Sequence, residues 1–144
     1  RLRCDWSSDV CSSDLINNDP NQVIFAVFDK ETRSYIGNAK LGEIDWINRT
    51  AKYGRMIGNV DMQKKGYGTD MAYLLLHYAF KILNLNKVYA GVEEGNVASI
   101  NSNKKVGLEV EGVLYQQVFN NGEYKNIVMM GIVKDKFLTN YPIK

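Results

Sequence analysis

Apolar and polar positions alternate over short stretches near both ends of this 144-residue chain, and recur at helical spacing mainly in the middle. Residues 23–29 (Val-Ile-Phe-Ala-Val-Phe-Asp) are rich in β-branched and aromatic side chains and predict a buried strand. A polar turn at residues 30–33 leads into a second strand over residues 35–44, hairpin-paired to the first. Residues 45–52 are polar and predict irregular chain, followed by a third strand over residues 53–57 that stops at Gly58. The clearest helix is residues 69–83, with Met71, Leu74, Leu75, Tyr78 and Ile82 on one face. Asp70, His77, Lys81 and Asn84 fall opposite, which makes His77 a solvated surface residue. Residues 88–93 predict a strand. Asn96 has the identity of an N-cap for a short helix over residues 97–106, closed by Gly107. Residues 110–119 and 124–133 predict two further strands joined through Asn120, Asn121 and Gly122, since Asn-Gly favours a tight hairpin turn. Residues 134–141 form a last helical turn before Pro142. With no repeat and no linker, this order predicts one α+β domain around a mixed α/β sheet.

The first 15 residues stand apart. Residues 5–15 (Asp-Trp-Ser-Ser-Asp-Val-Cys-Ser-Ser-Asp-Leu) resemble one reading frame of a short-read sequencing adapter and are read as non-native. The domain is therefore expected to span residues 16–144, with native sequence missing before Ile16. Both cysteines, Cys4 and Cys11, lie in or beside that segment. Without them the chain offers no disulfide framework and no cysteine metal site, and one histidine cannot build a metal cluster, so no metal is expected. A reducing, cytoplasmic setting fits. Arg1 and Arg3 oppose Asp5, Asp9 and Asp14, so the formal charge of +2 becomes +3 for the remainder. That charge is too small and scattered to indicate a nucleic-acid partner. No apolar run approaches a membrane span, so no membrane partner is expected.

Candidate chemistry concentrates between the third strand and the long helix. Gln63, Lys64, Lys65, Gly66, Tyr67, Gly68 and Thr69 combine a glycine-permitted turn, consecutive backbone N–H groups, two lysines and a helix N-terminus. That combination suits a phosphate group. Neither Gly-x-x-x-x-Gly-Lys-Thr nor Gly-x-Gly-x-x-Gly occurs, so this is not a Walker or dinucleotide loop. A second basic doublet, Lys104 and Lys105, closes the second helix.

Three pieces, in order, resemble the GNAT superfamily of acetyl-CoA-dependent N-acetyltransferases. They are the strand ending Arg55-Met56-Ile57-Gly58 with the loop after it; the strand from Lys87 with Asn96-Val97-Ala98-Ser99-Ile100 and Lys105-Val106-Gly107-Leu108; and Glu111-Gly112-Val113-Leu114 with the Asn121-Gly122 turn. Within the superfamily the chain resembles the branch of ribosomal-protein, spermidine and nucleotide-linked amino-sugar acetyltransferases. Residues 44–49 (Ile-Asp-Trp-Ile-Asn-Arg) are similar to the last two groups. The resemblance implies a central, mostly antiparallel sheet with one splayed strand pair and flanking helices, lacking here the first strand and first two helices. It implies acetyl-CoA as acyl donor. The pyrophosphate would rest on N–H groups between Lys64 and Thr69, with Gln63 and the lysines beside it. The pantetheine would pair with Met56, Ile57 and Gly58, and Asn96, Ser99 and Lys104 would flank the cofactor from the second helix.

Catalysis needs the amine in its neutral form. An alkylamine of pKa near 10 costs roughly 4 kcal/mol to deprotonate at pH 7, so a base or water chain is required. Glu43, Asp45 and Glu93 are the candidate carboxylates. Many members of the superfamily place a proton-donating tyrosine seven residues after the motif asparagine. Asn103 occupies that position here, and an amide could hydrogen-bond the sulfur or position water but not protonate it. The favoured acceptor is a small-molecule amine, particularly a nucleotide-linked amino sugar. A polyamine and a protein N-terminus are the alternatives, as are an acyl-CoA-binding module without turnover and an unrelated phosphate-loop protein. Self-association into a homo-oligomer stays open.

Overall fold

In the computed structural model the described residues are 19–58, 61, 63 and 65–142, with the backbone of Leu2–Arg3. Residues 5–15, both cysteines and Lys64 lie outside them. Seven strands form one sheet in the order β1-β2-β3-β4-β5-β7-β6. The strands are β1 (Leu2–Arg3), β2 (Val23–Asp29), β3 (Tyr35–Asp45), β4 (Thr50–Ile57), β5 (Lys87–Glu93), β6 (Glu109–Asn120) and β7 (Glu123–Val133). The helices are α1 (Tyr67–His77), α2 (Val97–Lys105) and α3 (Lys134–Asn140). All pairings are antiparallel except β4 with β5. This is the mixed α+β sheet that the element order predicts. Among the described residues no helix is long and apolar enough to cross a membrane.

Local chemistry explains the connections. Asp29 ends β2 buried, and its Oδ1 accepts from Glu31 N–H (3.0 Å), Thr32 N–H (2.8 Å) and Thr32 Oγ1 (3.0 Å). Its Oδ2 accepts from the Tyr67 hydroxyl at 2.9 Å, which ties the first hairpin to the start of α1. Those hydrogen bonds, led by Thr32 N–H and Tyr67, hold the carboxyl at about 2, below its ordinary 3.8. The stability so gained is fully present above pH 3.8 and is lost as pH falls toward 2. Asp29→Asn should therefore lower Tm by about 5 °C at pH 7, with the gap closing in acid. Thermal melts across pH 2–7 read this directly; a pH-independent gap would rule it out. At the other hairpin, Asn121 (φ +52°) and Gly122 (φ +77°) are both left-handed, the requirement of a two-residue type I′ turn.

Three expectations need correction. The third strand begins at Thr50, not Tyr53, because the polar stretch before it is a tight turn: Asp45 caps Ile47 and Asn48, and Arg49 is left-handed (φ +58°). The buried face of the long helix is also displaced. Met71, Ala72, Leu75, Leu76, Ala79 and Phe80 are buried, whereas Ile82 is 57 % exposed. Up to Ala79 the buried positions keep ordinary helical spacing, centred one residue from the expected face; the exposure of Ile82 follows from a π-helical segment, Tyr78–Ile82, which inserts an extra residue into the turn and rotates the residues beyond it. Leu83 packs against the core in place of Ile82. His77 is half-buried rather than fully solvated, its ring 6.2 Å from that of Tyr73. Burial, then the Lys81 charge, pushes its pKa down.

Candidate active site

The site is built where β4 and β5 part. Parallel pairing joins Thr50 to Lys87, Ala51 to Val88 and Lys52 to Tyr89, then stops, although β4 runs on to Ile57 and β5 to Glu93. β4 remains paired to β3 along this stretch, up to Gly37 opposite Ile57. Gly37 permits that approach, since a Cβ there would meet the Met56 carbonyl oxygen at 1.8 Å. The Gly58 N–H is donated to Ile36 O at 2.9 Å. By alternation Met56 also faces β3, while the N–H groups of Arg55 and Ile57 point into the gap. Of Met56, Ile57 and Gly58, only Ile57 thus presents its N–H to the gap.

The first turn of α1 lies alongside this unpaired edge. A Cβ on Gly68 would sit 3.5 Å from Arg55 Nε and 3.9 Å from Ile57 Cδ1. Gly66 is the N-cap, left-handed at φ +85°, and has no side-chain cap. The N–H groups of Tyr67, Gly68 and Thr69 open the helix, ahead of its own hydrogen-bond ladder. Gly66 is required by its dihedral angle; Gly68 makes only ordinary contacts within the protein. Gln63 and Lys65 are exposed on the loop, and Lys64 lies outside the described residues.

Strand alternation places different chemistry on the two faces of the last paired rung. On one face Glu43, lifted by a bulge in β3 at φ +48°, approaches Lys52 Nζ at 3.5 Å and accepts from the Tyr89 hydroxyl at 3.4 Å. Burial, then the Glu43 charge, pushes the Tyr89 hydroxyl pKa up, so it remains a donor at neutral pH. On the face toward α2, Tyr53 and Asn103 are buried at 4 % and 1 % exposure. The Tyr53 hydroxyl donates to Asn103 Oδ1. Arg55 Nη1 donates to Tyr53 Oη (2.8 Å) and Asn103 Oδ1 (2.7 Å), and its Nη2 donates to Ser102 Oγ. Asn103 Nδ2 is 3.7 Å from Met130 Sδ. This network was not legible from spacing, because its members lie about fifty positions apart.

The other candidates sit differently. Asp45 accepts from Ile47 N–H (2.9 Å), Asn48 N–H (2.8 Å) and Asn48 Nδ2 (2.7 Å), and the Asn48 bonds pull its pKa down. It serves as a turn cap and a weakened base. Asn103 is closed off by its own hydrogen bonds, so it offers no open amide to a sulfur or a water. Glu93 accepts from Asn120 Nδ2 at 3.2 Å, at the rim of an open cavity of about 350 Å³ that also includes Glu94, Glu123 and Lys125. Asn96 Oδ1 caps α2 through Ser99 N–H at 3.2 Å, and Ser99 O accepts from Ser102 Oγ at 3.1 Å. Lys104 lines a separate opening with Gly107 of the turn after α2, Glu109 of β6 and Lys136 of α3, and no described residue of the Gly66 loop lines it.

A splayed parallel pair with a helix N-terminus at its mouth defines a class of fold, and residues 5–109 match the family model described as an acetyltransferase (GNAT) domain. The chain belongs to that family. It is 35 % identical over 105 residues to spermidine N(1)-acetyltransferase of Escherichia coli K12, covering 73 % of this chain and 56 % of that protein. The chain thus spans a little over half the length of that relative. Among solved structures it is similar to spermidine N-acetyltransferase from Vibrio cholerae in complex with CoA and spermine (TM-score 0.80, 32 % identity, 84 % of this chain and 70 % of the other). A dodecameric form of the Vibrio cholerae enzyme matches equally well (TM-score 0.80, 32 % identity, 85 % and 71 %).

Proposed function

We propose that this chain forms the acetyl-CoA site of an N-acetyltransferase whose acceptor is a primary amine of a polyamine. The observation behind the donor is the gap between β4 and β5 with the first turn of α1 against it. An acyl-pantetheine arm can add to the free edge of β4, and the pyrophosphate can rest on the N–H groups of Tyr67, Gly68 and Thr69. The Ile57 N–H, pointing into the gap, is placed to polarise a thioester carbonyl and hold the developing oxyanion.

For the acceptor, the polyamine reading displaces the amino-sugar expectation. Relatives named for spermidine support it, and so do the carboxylates: Glu43 at the gap, with Glu93, Glu94 and Glu123 around the open cavity. A polyamine carries several positive charges, and each exposed carboxylate near its path attracts it modestly. The amino-sugar expectation rested on residues 44–49, and those residues form a turn organised by Asp45 itself. Glu43 is the base in this reading, because it faces the last rung and is not tied into a turn.

Calorimetric titration of acetyl-CoA, followed by assay of free thiol with a panel of amines, tests the whole reading. We expect saturable binding and thiol release that depends on spermidine or spermine and not on amino sugars. Release driven by an amino sugar alone would sink the polyamine acceptor; no binding of acetyl-CoA would sink the transferase.

A further inference from the structure

Gly66, Tyr67 and Gly68 place one anchored residue between two glycines. A glycine has no Cβ to restrict it, so the turn that offers N–H groups to a pyrophosphate is loose by composition. It is not held locally either. α1 has no side-chain cap, and its ladder starts only at Asp70 N–H, which donates to Gly66 O at 3.2 Å. Tyr67 supplies a restraint from outside the helix. Its side chain is buried, and its hydroxyl donates to Asp29 Oδ2 at 2.9 Å, 38 positions back along the chain. Asp29 is itself fixed: besides the three donors on Oδ1, its N–H donates to Ser34 O (2.9 Å) and its carbonyl accepts from Arg33 N–H (3.0 Å). The acceptor is a carboxylate held ionised, so the bond is stronger than one between neutral partners. A tie serving only the fold could enter α1 anywhere along its buried face. This one enters at the first helical residue, whose own N–H is a proposed phosphate donor; the next buried residue is Met71, one turn further on.

We infer that Tyr67 and Asp29 are positioning residues for the acyl donor: the bond between hydroxyl and carboxylate holds the turn at residues 66–69 in the shape that grips the pyrophosphate. This rests on the acetyltransferase reading above, in which that turn receives the pyrophosphate. The two polar groups are engaged with each other, so they act through the backbone and not on the donor. Pre-forming a binding turn raises affinity by removing its ordering cost from the binding step. The effect is selective. Only the nucleotide end of CoA draws on the turn, so loosening it weakens donors that carry a pyrophosphate and spares those that do not. What is lost is binding shared by ground state and transition state, so KM moves and kcat stays.

The test pairs acetyl-CoA with S-acetylpantetheine, which has the same thioester and arm but no pyrophosphate or nucleotide. Tyr67→Phe keeps the buried ring and removes only the hydroxyl. With acetyl-CoA, KM should rise by about 5- to 20-fold while kcat stays within about twofold of wild type. With S-acetylpantetheine, the loss in kcat/KM should shrink to within about twofold. An equal loss with both donors would mean that the bond serves the fold alone, and that outcome overturns the inference. An acetyl-CoA KM within about twofold of wild type also overturns it, while leaving the transferase reading intact. A wild-type protein that uses the two donors equally well would take the turn out of the pyrophosphate site, and the inference with it. Absence of thiol release from the wild-type protein would remove both readings together. Asp29→Asn makes the acceptor a neutral amide, so alone it should raise the acetyl-CoA KM by a smaller factor. Added to Tyr67→Phe, it should raise KM no further; losses that multiply in the double variant refute the tether. This cycle decides if S-acetylpantetheine turns over too slowly to follow, and Asp29→Asn with the two donors decides if Tyr67→Phe does not fold.

Discussion

Gly66→Glu is expected to abolish acetyl-CoA binding, with a loss of about 100-fold or more in calorimetric titration. Gly66 holds φ +85° and ψ −4°, a left-handed conformation that costs most L-residues about 1–2 kcal/mol. A glutamate there would push the chain out of that turn and misdirect the N–H groups of Tyr67, Gly68 and Thr69 behind it. A hydrogen bond to a charged group is worth about 1.5–3 kcal/mol, so misplacing two donors already removes about two or more orders of magnitude in affinity. The introduced carboxylate would also occupy the positive end of α1, where a phosphate should sit. Gly66→Asn separates these effects. Asparagine tolerates the left-handed region and brings no charge, so binding should stay within about tenfold of wild type. A folded Gly66→Glu protein with unchanged CoA affinity would remove the loop from the cofactor site.

Much of the fold was legible because its signals are local. The alternation in β2 and β7, the Asn121-Gly122 turn and the Asn96 cap each depend on residues within a few positions of one another. The misjudged features depend on something farther away or on a break in periodicity. The start of β4 was hidden by turn chemistry at Asp45. Ile82 was placed on the buried face because the π segment at Tyr78–Ile82 changes the residue count per turn, which a regular 3.6-residue period cannot anticipate.

The candidate site divides in the same way. Its glycine loop is contiguous and could be read, whereas the Tyr53, Arg55 and Asn103 cluster requires β4 and α2 to be brought together. A usable signal did exist. Ala51, Tyr53 and Arg55 share one strand face, and a buried tyrosine hydroxyl demands a partner. The acceptor was least legible of all: the likeness over residues 44–49 is shared by the spermidine and amino-sugar groups, so it could not choose between them.

Glu43→Gln is the second change with a large expected effect, a fall in kcat of about 10²- to 10⁴-fold at pH 7 with the cofactor still bound. Neutralising the side chain leaves its shape at the bulge and its contact with the Tyr89 hydroxyl nearly intact, while removing the proton-accepting group that touches both residues of the last rung. The 3.5 Å and 3.4 Å separations are long, as is common before substrate tightens a site. Asp45→Asn provides the contrast. Asp45 is occupied by three hydrogen bonds and its pKa is pulled down, so its loss should weaken the turn and leave kcat within about threefold. The pH dependence carries the sign. Below the amine's own pKa near 10, each unit rise in pH supplies about tenfold more neutral amine from solution, so the Glu43→Gln deficit must shrink as pH rises. Because wild type already removes the proton through Glu43, its rate should climb less steeply over the same interval. A Glu43→Gln enzyme with wild-type kcat at pH 7, or with a deficit that does not narrow between pH 7 and 9, would move the base elsewhere. Glu93, at the far end of β5, would then be the carboxylate to replace next.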